Sequence, residues 1–305
     1  MPAPIYIAFA PIYAHPLPAG HRFPMLKYEL IPEQLCYEGI IRPAHLHTPL
    51  ACAHDIILLT HTPEYLSKLV NQQLSAKEQR HIGFPQSPAL TERELIITQG
   101  TIDCCLHALR HGIALNVAGG THHAFADRGE GFCLLNDFAV AANYLLHQKM
   151  ARKILVIDLD VHQGNGTADI FREESRVFTF SMLGHHNYPF HKEKSDLDIP
   201  LADGTGDTQY LTLLKETLPR LIASVQPDFA FYLSGVDVLA TDAFGKLKLS
   251  RQACLERDQF VFDLLRFNKV PCTVAMGGGY SPDIGDIVTA HVNTFKAAIA
   301  AFEGV

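Results

Sequence analysis

Four short apolar runs, each followed by glycine or by acidic and histidine residues, constrain the fold of this chain most strongly. They occupy residues 113–117, 153–157, 229–233 and 270–276. Runs of this length that end at such residues are typical of buried strands. Segments with helical spacing of apolar residues lie before, between and after them, at 91–111, 137–149, 208–224 and 286–302. This alternation predicts an α/β fold with a largely parallel sheet and helices on both faces.

Composition and charge narrow the class of protein. No linker rich in Gly, Ser or Pro interrupts the 305 residues, so we expect one domain over 1–305. With 25 Lys and Arg against 32 Asp and Glu, the net charge of −7 argues against direct nucleic-acid binding. An acidic protein suits a basic partner, such as a lysine-rich peptide or a polyamine. The oligomeric state stays open.

The seven cysteines and the N-terminus indicate a cytoplasmic protein. The cysteines are odd in number and form no C-x-x-C pair, which is typical of reduced thiols. Residues 1–13 are apolar but lack a basic region and contain three prolines, unlike a signal peptide. No uncharged apolar run approaches the roughly 18 residues that a membrane span needs. We therefore expect no membrane partner.

Polar residues after two of the predicted strands favour a metal site. Asp158, Asp160 and His162 are spaced by two, so an extended segment projects them to the same side. Two carboxylates on one face repel unless a cation lies between them, and an imidazole beside them suits zinc. Asp237 follows another strand and could be the third ligand of a site with Asp160 and His162. The alternative is a set of solvated polar residues at a strand end.

Two further groups are candidates for proton transfer. His122 and His123 follow a pair of glycines at another strand end, and Asp158 could orient one of the two rings. Tyr280 follows three glycines and could donate a hydrogen bond to a developing oxyanion. Ordinary surface or core histidines and a turn tyrosine are the alternatives.

Five motifs together resemble the zinc-dependent histone deacetylase superfamily, in that family's order. They are GGTHHAF (119–125), GFCLLND (131–137), DLDVHQGNGT (158–167), SGVDVLATD (234–242) and GGGY (277–280). The segment HPLPAGHRFPMLKY (15–28) is similar to the family's opening segment. The compact length and Asn165 resemble class IV-type enzymes and bacterial histone deacetylase-like amidohydrolases more than class I. The resemblance implies an arginase-like α/β domain.

The resemblance also implies roles for the catalytic residues. His123 would be the general base that activates the attacking water, and Asn165 would lie behind it where class I has an aspartate. His122, paired with Asp158, would be a charged electrostatic partner. Tyr280 would donate a hydrogen bond to the substrate carbonyl and to the tetrahedral oxyanion.

Metal and substrate contacts follow from the same resemblance. The implied zinc ligands are Asp160, His162 and Asp237. The implied walls of a narrow acyl-lysine channel are Gly131, Phe132 and Tyr188, with Phe244 at its edge. The implied residues around a structural potassium ion are Asp158, Asp160, His162 and Ser181.

These observations predict a zinc-dependent amidohydrolase that removes acetyl or other acyl groups from the ε-amine of lysine. One alternative is an acetylpolyamine or other small-amide deacetylase of the same superfamily. A manganese hydrolase of the arginase type would need a denser set of Asp and His ligands. A non-catalytic acyl-lysine binding module should have lost a ligand, the base or the tyrosine, and all are present.

Overall fold

One sheet of eight parallel strands forms the centre of the computed structural model, which describes residues 5–302. Residues 1–4, which begin the N-terminal segment considered above, and residues 303–305 lie outside the described part. The strands are β1 (Ile7–Ala8), β2 (Leu46–His47), β3 (Ile113–Asn116), β4 (Ile154–Asp158), β5 (Val177–Gly184), β6 (Leu197–Leu201), β7 (Phe229–Leu233) and β8 (Cys272–Ala275). Their order across the sheet is β2-β1-β3-β8-β7-β4-β5-β6.

Ten α-helices connect and cover the strands within residues 5–302. They are α1 (Lys27–Tyr37), α2 (His54–Ile57), α3 (Pro63–Val70), α4 (Ala76–Ile82), α5 (Pro88–His111), α6 (Asp137–His147), α7 (Asn165–Ile170), α8 (Asp207–Val225), α9 (Arg251–Phe267) and α10 (Ile284–Phe302). None of the described helices is both long and apolar enough to cross a membrane. All seven cysteines lie in the described part, and none forms a disulfide.

The central strands explain why their sequences read as unbroken apolar runs. Every residue of β4, β7 and β8 is buried, which is expected when helices cover both faces of a parallel sheet. Helix α5 packs on β3 and β8, while α9 packs between α8 and α10. The α/β fold class predicted from the strand pattern is therefore confirmed.

The boundaries of the elements differ from the predicted ones in places. The predicted helix at 91–111 begins earlier, at Pro88, because the Ser87 hydroxyl accepts a hydrogen bond from the Leu90 N–H at 3.1 Å and caps the helix. Strands β1 and β2 have two residues each, too few for a periodic signal.

A buried arginine on α9 joins the ends of two central strands. The Arg257 guanidinium donates from Nη1 to the carbonyl oxygens of Leu159, at 3.2 Å, and Gly235, at 2.7 Å. Its Nε donates to Oδ1 of Asp258 at 2.8 Å, and the Tyr232 hydroxyl donates to the same oxygen at 2.5 Å. Leu159 follows β4 and Gly235 follows β7, so this cation fixes the two segments that carry the aspartates of the site.

Replacing this cation should destabilise the fold strongly. Arg257→Met would leave the Asp258 carboxylate buried without its cation, at a cost of about 3–5 kcal/mol in the free energy of unfolding. Chemical denaturation followed by circular dichroism measures this change. The control Arg266→Met, at an exposed position of the same helix, should change it by less than about 0.5 kcal/mol. Equal effects of the two substitutions would contradict the proposed anchoring.

Candidate active site

The carboxyl ends of four neighbouring strands bring the predicted site residues together. In parallel α/β sheets this edge is where ligands bind. The side chains come from the last residue of β4 and from segments that follow β3, β4, β7 and β8. In that order they are His122 and His123, then Asp158, Asp160 and His162, then Asp237, and finally Tyr280.

Asp160, His162 and Asp237 form a compact buried cluster with metal-ligand geometry. One possible ligand atom from each residue lies within 4.8 Å of those of the other two. Nδ1 of His162 is 3.0 Å from Oδ1 of Asp160 and 3.0 Å from Oδ2 of Asp237. Backbone N–H groups orient both carboxylates: Val161 donates to Asp237 and Gly278 donates to Asp160.

The charges in this cluster favour a cation. Burial opposes a charged His162, but hydrogen bonds to Asp160 and Asp237 outweigh it and raise the pKa of the imidazole to about 10. Burial, together with the charge of Asp160, raises the pKa of Asp237 to about 7. The positive charge around the cluster therefore compensates Asp160, whose pKa is lowered, but does not fully compensate Asp237. Two carboxylates and one imidazole are a donor set that fits zinc and leaves a coordination position open.

The two adjacent histidines have opposite electrostatic environments. Nδ1 of His122 donates to Oδ2 of Asp158 at 2.7 Å, and this charge outweighs burial and raises the pKa of His122. Burial lowers the pKa of His123 well below its usual value, and the neighbouring His122 and His162 lower it further. Nδ1 of His123 lies 2.7 Å from Oδ1 of Asn165, a neutral partner. Asp158 therefore favours the charged form of His122, whereas burial and the neighbouring rings favour the neutral form of His123.

A carboxylate that the sequence reasoning missed lies behind Asn165. Nδ2 of Asn165 donates to Oε1 of Glu130 at 3.3 Å, and the Tyr188 hydroxyl donates to the same oxygen. This arrangement turns the amide oxygen of Asn165 towards His123. Glu130 immediately precedes Gly131 of the second motif, and its position next to that motif was the only sequence signal for it.

The predicted channel walls lie close to His123 and Tyr280. The ring of Tyr188 is edge-on to that of His123, with 5.0 Å between centroids. Gly131 has a φ of +55°, and a Cβ there would lie 2.7 Å from Cδ2 of His123, so only glycine fits. Phe132 comes next, and its ring centroid is 6.1 Å from that of Tyr280.

The tyrosine after β8 contacts Phe244, which was expected at the channel edge, and two residues near it, Asp242 and Lys27, were not predicted as site residues. The Tyr280 N–H donates to Oδ2 of Asp242 at 2.6 Å, and the ring of Phe244 packs on its ring at 4.8 Å between centroids. Nζ of Lys27, fully buried, donates to the Gly277 carbonyl at 3.0 Å. Burial lowers the pKa of Lys27 to about 8, although nearby carboxylates oppose this. Lys27 belongs to the opening segment 15–28, which explains that segment's place beside the site.

Ser181 has an environment that suits a monovalent cation. It pairs in register with Asp158 across β5 and β4. Its buried hydroxyl oxygen has no hydrogen-bond partner among the described residues. An orphaned oxygen next to a carboxylate is a plausible ligand for potassium, since hard cations take oxygen ligands.

A pocket of about 560 Å³ leads from the surface to this site. His123 and His162 lie at its floor, and Phe132, Tyr188 and Phe244 line its sides. A second cavity of about 40 Å³ lies beside the same histidines, deeper in the protein. The outer pocket therefore gives a substrate access to the buried cluster.

A buried cluster that could hold a metal ion lies at the carboxyl edge of the parallel sheet, and known proteins are similar to this chain. The sequence profile described as "Histone deacetylase domain" matches residues 21–295. An uncharacterised protein of Picosynechococcus is 40% identical over 292 residues, which cover 96% of this chain and 97% of that protein. Histone deacetylase 2 of Arabidopsis thaliana is 29% identical over 285 residues, covering 90% and 74%.

Solved structures agree with this result at the level of the fold. The crystal structure of an HDAC homolog from Aquifex aeolicus superposes with a TM-score of 0.83 at 24% identity, covering 96% of this chain and 84% of that one. The chain belongs to the histone deacetylase family. This membership supports amide deacetylase activity and confirms the resemblance found from the five motifs.

The cluster should bind zinc through its carboxylates. Asp237→Asn keeps the size of the side chain but removes its charge, so zinc affinity should fall by at least about 10- to 100-fold, the cost of losing even an outer partner of a ligand. Metal content after dialysis against zinc-buffered solutions, measured by mass spectrometry, reports this affinity. The control Asp263→Asn, at an exposed position on α9, should bind like the wild type. Unchanged zinc content in Asp237→Asn would contradict the assignment.

Proposed function

We propose that this protein is a zinc-dependent deacylase that hydrolyses the amide of an acyl-lysine side chain. The observation that carries the proposal is the buried Asp160–His162–Asp237 cluster with a neutral His123 beside it at the floor of an open pocket. A bound zinc ion would supply Lewis-acid polarisation of the amide carbonyl and of a water molecule. We also propose that residues 1–305 act as one catalytic domain.

His123 is the proposed general base. Because its Nδ1–H donates to Asn165, its Nε2 carries the lone pair that can accept a proton from water. Its lowered pKa keeps that lone pair free at neutral pH. As the C–N bond breaks, a histidine returns the proton to the leaving amine, which gives the free amine and a carboxylic acid. His122, charged through Asp158, stabilises the negative charge that develops.

Tyr280 is the proposed oxyanion donor. Burial, with the charges of Asp160 and Asp237, raises the pKa of its phenol well above the usual value, so it remains a donor at neutral pH. A hydrogen bond from its hydroxyl to the carbonyl oxygen strengthens as that oxygen becomes negative. Gly131, Phe132 and Tyr188 would hold the acyl-lysine stem. Asp158 and Ser181 would hold potassium through their oxygens. Asp160 and His162 would complete this potassium site.

Other assignments stay open to test. An acetylpolyamine deacetylase would use the same centre on a substrate with additional ammonium groups. A non-catalytic binding module is disfavoured because all proposed catalytic groups are present. The cytoplasmic location, and the absence of nucleic-acid or membrane partners, stay predictions from the sequence.

Turnover of a fluorogenic acetyl-lysine peptide tests the proposed function. We expect zinc-dependent hydrolysis that a hydroxamate chelator inhibits. Tyr280→Phe removes one oxyanion donor and should lower kcat by about 10²–10³-fold. Tyr37→Phe, in which the side chain is 87% exposed on α1, should leave kcat unchanged. Hydrolysis that survives chelation, or full activity of Tyr280→Phe, would contradict the proposal.

Exchanging the amide behind His123 for a carboxylate should change the pH dependence. In the double variant Asn165→Asp with Glu130→Gln, one carboxylate stays in the network but faces His123 directly. An opposite charge at that distance stabilises the imidazolium and should raise the pKa of His123 by about one to three units. Since the base must be neutral, the acid limb of kcat/KM should move to higher pH.

The single variant Glu130→Gln is the matched control for this experiment. It keeps a hydrogen-bond acceptor for Asn165, so the acid limb should stay close to that of the wild type. An acid limb that does not move in the double variant would contradict the role of His123 as the base.

A further inference from the structure

Cationic side chains surround the entrance to the pocket, although the chain as a whole is acidic. Six residues form this entrance, which we call the mouth: Arg22, Arg80, His81, His186, Phe190 and Lys246. No described Asp or Glu side chain lines the same pocket. The net charge of −7 is therefore opposite in sign to the charge at the pocket entrance, which is the surface that a substrate meets first.

Two arginines carry the uncompensated charge of the mouth. Nζ of Lys246 lies 3.8 Å from Asp203, so that carboxylate offsets part of the lysine charge, and the same carboxylate lies 3.2 Å from Nδ1 of His186. Arg22 and Arg80 are exposed, and neither forms an ion pair with any residue between 5 and 302. The Arg22 guanidinium instead lies 5.3 Å from the ring centroid of Phe244, which holds it at the pocket edge.

Carboxylates closer to the catalytic floor do not offset these arginines. Glu130 lies behind Tyr188, where it accepts hydrogen bonds from Tyr188 and Asn165. Asp160 and Asp237 are buried in the metal cluster. A substrate entering the pocket thus passes positive charge before it reaches the site.

We propose that the enzyme prefers acyl-lysine in peptide segments whose flanking residues are acidic. This inference rests on the proposed function and names its substrate class. Exposed guanidinium groups bind carboxylates in two-pronged geometry, and they repel the ammonium groups of lysine-rich tails and of polyamines. The mouth therefore selects against both of the basic partners that the net charge suggests.

The shape of the entrance favours a peptide over a small amide. At about 560 Å³ the pocket is wider than an acyl-lysine stem requires, so it has room for the neighbouring residues. Phe190 is 88% exposed at the mouth and offers an apolar surface to a residue beside the lysine. Arg22 and Arg80 lie where only the flanking parts of a substrate can reach them.

Three acetyl-lysine peptides that differ only in their flanks test the proposal. Their flanks are two aspartates, two serines or two arginines on each side. An exposed ion pair changes binding by a factor of about two to five. We therefore expect kcat/KM for the acidic peptide to exceed that for the basic one by about tenfold at low salt. The ratio should shrink at high ionic strength, because salt screens exposed charges.

Charge reversal at the mouth should invert this preference. In Arg22→Glu with Arg80→Glu, the basic peptide should become the better substrate. Arg266→Glu makes the same type of charge change at an exposed position on α9 outside the mouth and should leave the ranking unchanged. Acetylspermidine should be a poorer substrate of the wild type than the acidic peptide.

Binding measurements separate this inference from the proposed function. Fluorescence anisotropy with labelled versions of the three peptides ranks their affinities whether or not hydrolysis occurs. If the acidic peptide binds most tightly but no peptide is hydrolysed, the deacylase assignment is overturned and the charge preference is supported. The proposed charge preference would be overturned if the basic peptide bound as well as or better than the acidic one, or if the ranking did not change in the double variant. Faster turnover of acetylspermidine than of the acidic peptide would overturn it too, even if the serine peptide is hydrolysed.

Discussion

Burial of two like charges at one sheet edge is the constraint on which the rest of the site depends. Asp160 and Asp237 are held on segments after neighbouring strands, and backbone N–H groups fix both carboxylates. Burying such a pair costs several kcal/mol per ion unless positive charge accompanies it. Arg257 ties the same two segments together from below through their carbonyl oxygens. The fold therefore sustains an arrangement that a cation would stabilise.

This concentration of charge also sets the properties of the two adjacent histidines. The rings of His122 and His123 are 4.1 Å apart between centroids, yet one faces a carboxylate and the other an amide. The pKa values of two chemically equivalent side chains are thus shifted in opposite directions, as a base and a charged partner require. Burial and the neighbouring histidine rings leave His123 the less basic of the two, since its partner Asn165 carries no charge, and Glu130 keeps that amide in one orientation.

The fold class and most of the candidate site residues could be predicted from the sequence, because the reactive side chains lie at or just after the ends of the predicted strands. Unbroken apolar runs such as 229–233 indicated the buried strands, and spacing by two placed Asp160 and His162 on one side. Lys27 and Glu130 could not be found in this way, since a buried lysine or a half-buried glutamate looks like a surface residue in the sequence until its neighbours are known. The net charge could not predict the charge of the pocket entrance, because a sum over the chain does not show where Arg22 and Arg80 lie.

The protonation states of the two histidines distinguish a neutral base beside a charged partner from every other arrangement of these rings. Nitrogen-15 NMR of the zinc-loaded protein at pH 7, with the resonances assigned through His122→Ala and His123→Ala, observes each ring nitrogen. The account predicts an imidazolium at His122 and a neutral ring at His123 with its proton on Nδ1. A protonated His123, or a neutral His123 with its proton on Nε2, would contradict it.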